Sequence, residues 1–249
     1  MGSSSKTPSA MLVTEVHYES RNLGVKCALV KLNPDDRNPD LVALKDNFAM
    51  ITVRSPVGRP DLSKSISAQG FWYCDSQLTL RRTLSGYRAE FAESVSLNCL
   101  SEEEALESLL QNGFSIESDR LELLRVFDSN LLFGRYSNWI SDELSLGALF
   151  FEISIRSRPA GFFIGRIVNE KPYVALSGTY SKCSFPGAGS LIESHMLQWA
   201  ASINQHLDVV VASSNCAALR LHFAFGFNLL RIEDEFIWTS LESKVGDDV

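Results

Sequence analysis

Between residues 173 and 203 three segments follow one another without a break: the apolar run YVALSGTY, the glycine-containing turn SKCSFPGAGS, and LIESHMLQWAASI. In the last, Leu191, Ile192, Met196, Trp199, Ala200 and Ile203 recur at spacings of three and four, the mark of an amphipathic helix that begins at the glycines. A strand that turns through glycines into such a helix commits the chain to a sheet with helices packed on it. The first amides of the helix have no internal acceptor, and aligned peptide dipoles leave partial positive charge there. Glycines let that backbone approach an anion, with pyrophosphate the natural guest. The same glycines would equally serve a tight turn that binds nothing.

The flanking pattern gives an α/β order. Leu149–Arg156 and Gly161–Val168 read as strands joined by the Ser157–Ala160 connection, a hairpin signal. Leu207–Val211 (LDVVV) reads as a short central strand in parallel pairing. Ser214 and Asn215 cap a helix that closes at Gly226, and Phe227–Trp238 supplies a last strand. Upstream, Gly24–Leu32, Ala49–Val53 and Phe71–Leu84 read as strands. Asn38-Pro39-Asp40 starts a short helix, and Arg59-Pro60-Asp61 starts another that ends at Gly70. Ser101 and Glu104 form a capping box, after which helical patterns continue to about Leu146. The expected division is a loose tail over 1–10, a first domain over 11–95 and a second over 96–249.

Composition excludes several classes. A length of 249 residues suits one large domain or two small ones, and 45% apolar with 21% charged residues is ordinary for a globular chain. Thirty acids against 23 bases give a net charge of −7, which argues against duplex DNA as a partner. No apolar run is long enough for a bilayer-crossing helix, and no membrane partner is expected. Cys27, Cys74, Cys99, Cys183 and Cys216 are dispersed without CxxC or zinc spacing, so no metal is expected and the thiols read as reduced. MGSSSKTPSA lacks the apolar region of a signal peptide, and the expected location is cytoplasmic.

A second motif is SSNCAALRLHFAFGF, residues 213–227. Asn215 and His222 lie two helical turns apart, about 10 Å along the axis, and share a face with Ala218 and Phe225. Asn215 can be only an N-cap and His222 only a core residue beside Phe225; both readings stay open here.

Together these pieces resemble the GNAT acetyltransferase family. Its pyrophosphate turn, R/Q-x-x-G-x-G/A, aligns with Ser184-Phe185-Pro186-Gly187-Ala188-Gly189, with serine in the Arg/Gln position. A second family pattern, N-x-x-A-x-x-L-Y-x-x-x-G-F, aligns without a gap on Asn215, Ala218, Leu221, His222, Gly226 and Phe227, with histidine in place of tyrosine. YSNWISDEL (136–144), PGAGSLIESHMLQWA (186–200) and SNCAALRLHFAFG (214–226) are similar to its sugar-nucleotide branch, the TDP-fucosamine acetyltransferases. ESRNLGVKCALVKL and the run after it look like the truncated GNAT-like half found in front of that catalytic domain.

The resemblance implies a GNAT fold, a mixed and splayed sheet flanked by helices, with a truncated GNAT-like domain before the catalytic one. It implies acetyl transfer from acetyl-CoA to a primary amine, most specifically on a nucleotide-linked amino-deoxysugar, by direct attack in a ternary complex. Another amine (an antibiotic, a polyamine, a protein N-terminus) or a catalytically silent CoA-binding scaffold remains open. A homodimer is plausible on the same ground. The backbone of Ser177, Gly178 and Thr179 would pair with the pantetheine amides. Phe185, Pro186, Gly187, Ala188, Gly189 and Ser190 would form the pyrophosphate cradle, and Asn215 would hydrogen-bond the coenzyme. His222 would stand near the thioester sulfur, as proton donor to the departing thiolate or as acceptor from the amine. Glu152, Tyr180 and Ser213 are candidate bases, and Cys183 has no histidine partner identifiable by spacing. Arg135, Arg156, Arg158 and Arg166 are available for an acceptor diphosphate, and Tyr136 and Trp139 for stacking or for the core.

Overall fold

The computed structural model describes residues 11–113, 121, 127, 129–183 and 185–241. The tail over 1–10, the middle of the helical pattern before Leu146, and Ser184 of the glycine turn lie outside the described residues. The chain divides into two compact units. Of the described residues, the first holds 11–77, 121, 127, 129–132 and 232–241, and the second 78–113, 133–183 and 185–231.

In the first unit, β1 (Leu12–Glu15) leads into α1 (His17–Leu23), which stops at Gly24 in the left-handed conformation, φ 69°. β2 (Cys27–Lys31) and β3 (Met50–Pro56) follow, then α2 (Pro60–Ala68), which starts on proline. β1 pairs antiparallel with β2, β2 parallel with β3, and β3 antiparallel with β10 (Asn228–Thr239) from Met50↔Thr239 to Pro56↔Glu233. Val30, Ile51, Val53 and Phe236 from the strands meet Leu62 and Ile66 of α2 in one core. The helix expected from Asn38-Pro39-Asp40 is a single 3-10 turn over Val42–Leu44. β1 was not foreseen.

β4 (Trp72–Thr83) and β10 each run through both units. The second unit then begins its own sheet with β5 (Val95–Leu100), which was not foreseen although VSLNCL alternates. α3 (Glu102–Asn112) opens on the capping box: Ser101 Oγ accepts from the Glu104 amide, and Glu104 reaches back to the Ser101 amide at 2.8 Å. α4 (Ser129–Ser145) precedes an antiparallel meander of β6 (Leu149–Ile155), β7 (Arg158–Val168) and β8 (Lys171–Thr179), in the order β5-β6-β7-β8. The β6–β7 connection is shorter than expected. Arg156 (φ 50°) and Ser157 (φ 62°) make a two-residue left-handed turn, and Arg158, Pro159 and Ala160 belong to the strand. Asn169 and Glu170 repeat that turn before β8.

α5 (Ala188–Ala201), β9 (His206–Ala212) and α6 (Cys216–Ala224) complete the unit. The expectation of a central β9 is corrected. β9 ends the strand order of its sheet, its burial alternates, and Val210 is 60% exposed. The sequence does carry a sign of this in Asp208, a charge on the exposed face that pairs with Arg81 at 2.6 Å. β8 and β9 run close together, yet each is the outermost strand of a different sheet. The mixed, splayed sheet flanked by helices is the fold class expected. Phe151, Ile153 and Phe163 bury one face of the meander under Ile192, Met196 and Leu197 of α5. Phe150, Phe162 and Ile164 bury the other under Ala105 and Leu109 of α3.

Candidate active site

The site is assembled within the second unit where β8 parts from β9. Along β8 the ladder to β7 runs Gly161↔Thr179, Phe162↔Gly178, Phe163↔Ser177 and Ile164↔Leu176, then resumes at Gly165↔Val174. Ala175 is the extra residue, a bulge that leaves its backbone polar groups out of register with β7. Ser177 to Thr179 bond to β7 on one side, and among the described residues β8 has no ladder partner on its other side. That free edge is what an amide-bearing chain could add to.

Beyond β8 the chain reaches Phe185 and Pro186, and Gly187 (φ 83°) is the N-cap of α5 with no side-chain cap. The Ala188 amide donates to Phe185 O at 3.2 Å, and the first full helical bond runs from the Leu191 amide to Gly187 O. The amides of Gly189 and Ser190 fall between, in the first turn, and among the described residues no side chain receives them. A Cβ built on Gly187 would meet nothing within 4 Å among the described residues, so the glycine is not crowded by side chains there. An uncapped helix start fits a phosphate group.

Asn215 is the N-cap of α6: its Oδ1 accepts from the Ala218 amide at 3.1 Å, the simpler of its two readings. His222 sits in the last turn of α6, 7% exposed, with its ring edge against Phe227 at 4.9 Å between centroids. Its Nδ1 lies 2.9 Å from Glu193 Oε1 on α5, and Glu193 is 2% exposed. A carboxylate offers only acceptors, so Nδ1 carries the hydrogen. Among the described residues no hydrogen bond reaches Nε2, and Nε2 is absent from the sealed polar atoms left without partners. It therefore opens to solvent.

Glu193 was missed. Its sequence signal was a carboxylate in line with Leu197 and Ala200, inside the buried stripe of α5. Glu152 and Tyr180, two of the candidate bases, are brought together elsewhere. Tyr180 Oη donates to Glu152 Oε2 at 3.0 Å, and Ser108 Oγ donates to the same oxygen. Burial pushes the Tyr180 phenol well above its ordinary range, a hydrogen bond with Ser108 opposes, and the Glu152 charge adds to the rise. In its contact with Glu152, Tyr180 is the donor. This cluster lies on the α3 side of β6, with Phe150 and Phe162, whereas the His222–Glu193 pair lies on the α5 side. The third candidate base, Ser213, lies in the turn before α6.

Of the arginines, Arg166 is tied to Glu143 at 2.7 Å and stacks over Tyr173, and Arg135 is buried over Tyr136. Arg156 and Arg158 are exposed at the β6–β7 turn. Tyr136 and Trp139 contact each other, half-buried, with centroids 5.9 Å apart. Cys183 packs against the α3-side core, while Cys216 is exposed at the start of α6. All five cysteines are free thiols. Among the described residues no group of three or more His, Cys, Asp or Glu could hold a metal ion, and no helix is long and apolar enough to cross a membrane.

Neither a protein-family model nor a curated protein matches the sequence. Solved structures do. A GCN5-related N-acetyltransferase from Sphaerobacter thermophilus superposes with a TM-score of 0.64 at 13% identity, over 94% of this chain and 78% of that one. A tandem GNAT protein from the clavulanic acid biosynthesis pathway, solved without acetyl-CoA, gives 0.57 at 11% identity, over 95% and 86%. A GCN5-related N-acetyltransferase from Kribbella flavida gives 0.52 at 12% identity, over 85% and 80%. Identities this low speak to architecture alone, and the architecture is plain: this chain has the GNAT fold.

Proposed function

We propose that the protein is an N-acetyltransferase that moves acetyl from acetyl-CoA to a primary amine. The observation that carries this reading is the uncapped start of α5 at Gly187, following directly on the edge of β8 that has no ladder partner among the described residues. In this reading the pantetheine amides add to the edge at Ser177, Gly178 and Thr179. The pyrophosphate rests on the amides of the turn from Phe185 to Ser190, and Asn215, whose Oδ1 is engaged in capping, has its Nδ2 for the coenzyme. The bulge at Ala175 supplies a backbone amide for the oxyanion that forms when the amine attacks the thioester carbon. His222 handles protons at the sulfur.

The acceptor we propose is a nucleotide-linked amino-deoxysugar, on the strength of YSNWISDEL, PGAGSLIESHMLQWA and SNCAALRLHFAFG. Two measurements test the whole reading. Acetyl-CoA at 100 times its dissociation constant should raise stability by about 2.7 kcal/mol. Free thiol should then appear with TDP- or UDP-linked aminosugars and not with spermidine or a peptide N-terminus. Release with spermidine alone would move the acceptor to a polyamine. A melting shift with no thiol release across the panel would make the protein a coenzyme-binding scaffold.

A further inference from the structure

Two ionisable side chains on different helices are buried against each other in the second unit: Glu193, side chain 3% exposed, and His222, 8%. Burying a carboxylate costs free energy unless it is matched by a partner, and an apolar side chain at position 193 would have completed the stripe formed by Leu197 and Ala200 without that cost. The contact is also directional. Oε1 of Glu193 meets Nδ1, so the hydrogen of a neutral ring is held on Nδ1 and the lone pair of Nε2 faces outward, towards solvent. Another buried carboxylate of the unit, Glu152, is engaged on the opposite side of β6 with Tyr180 and Ser108. It is not in position to serve a proton leaving the α5 side.

We infer that Glu193 is a positioning residue that holds His222 with Nε2 as acceptor, so that one imidazole serves both halves of the acetyl transfer. The inference rests on the acetyltransferase reading and deepens it. As the free amine forms its C–N bond to the thioester carbon, His222 Nε2 takes the proton that the nitrogen sheds. As the C–S bond breaks, the same nitrogen returns that proton to the departing sulfur, leaving amide and free thiol. The charge on the ring between the two events is balanced by the Glu193 carboxylate, and no other acid or base is consumed. A carboxylate behind an imidazole fixes tautomer and orientation in this way without itself being protonated.

The test joins a spectroscopic and a kinetic readout. The chain has four histidines, and the His222 ring signals in ¹⁵N-histidine protein are those missing from His222→Phe. Two-bond nitrogen–proton spectra of the neutral ring should show the proton on Nδ1 in the unaltered protein and on Nε2 in Glu193→Leu. Glu193→Gln keeps the shape and an acceptor oxygen, so it folds where a cruder change fails. It should retain the acetyl-CoA melting shift while thiol release, with water and then with TDP-fucosamine as nucleophile, falls about a hundredfold or more. A helix-to-helix tie without a chemical role would leave that rate unchanged. A neutral ring protonated on Nε2 in the unaltered protein, or an undiminished rate in Glu193→Gln with the melting shift intact, overturns the inference alone. No melting shift and no thiol release in the unaltered protein overturns the acetyltransferase reading, and the inference with it.

Discussion

Gly187 and Gly189 share one turn but answer to different physics. Gly187 holds φ at 83°, where an L-residue pays about 1–2 kcal/mol, although its Cβ would find nothing within 4 Å. Gly189 lies inside α5 with ordinary φ, and a Cβ there would meet Leu221 Cδ2 at 3.6 Å, an ordinary contact. Gly189→Ala should therefore melt as high as the unaltered protein or higher, since alanine gains about 0.8–1 kcal/mol over glycine in a helix. It should also keep its acetyl-CoA affinity. Gly187→Ala should lose about 1–2 kcal/mol of stability and, because its methyl stands at the uncapped start of the helix, about tenfold in acetyl-CoA affinity. Denaturant melts paired with a coenzyme titration read both quantities. A Gly187→Ala protein that is less stable but binds acetyl-CoA as tightly as before would reduce the glycine to a turn residue.

The helix that carries this turn is seated by two other glycines. Gly161 and Gly165 flank Phe163 on the face of β7 that meets α5. A Cβ at Gly165 would lie 2.5 Å from the Trp199 ring, and one at Gly161 would lie 2.4 Å from both Gly178 O and Ile192 Cδ1. The missing side chains let Ile192 and Trp199 sit down on the strand, fixing how far the start of α5 stands from the edge of β8. Overpacking of this kind costs about 1–3 kcal/mol. Gly165→Ala should fall in that range, because a ring can tilt, and Gly161→Ala should cost more, because a backbone carbonyl must move. A thermal melt of the two variants that showed equal, near-zero losses would contradict this account of the seat. Neither glycine was recognisable as a seat in the sequence, where GFFIG reads only as strand. α5 itself was legible, because its apolar stripe repeats at helical spacing, and so were the starts of α3 and α6, because Ser101 and Asn215 cap within four residues of themselves. What escaped was mostly what depends on a distant partner. β5 alternates, but over only six residues of which most are exposed, the cover over β9 is set by other strands, and the burial of Glu193 follows from His222 arriving 29 residues later.

At the scale of the molecule, sequence and contacts divide the chain differently. The sequence suggests a cut near residue 95, before β5, yet the second unit draws Leu80 and Leu84 of the preceding segment into its core, at 0% and 3% exposure beside Phe163, Leu207 and Phe227. The first unit in turn takes the last part of β10, where Phe236 and Ile237 are 3% and 0% exposed and Trp238 pairs with Ile51 of β3. A fragment of residues 96–249 would lose two buried leucines, each worth about 2–5 kcal/mol, together with β4, which carries the first of them. It would also expose Phe236 and Ile237 to water. Set against the roughly 5–15 kcal/mol that holds a domain folded, these losses leave little or nothing. The fragment should show no cooperative melt and no acetyl-CoA shift, while the intact chain shows both. A cooperative transition from the fragment at a temperature near that of the full chain would mean that Leu80 and Leu84 fill space in that core without supporting it, and that the second unit stands on the strands that begin at β5.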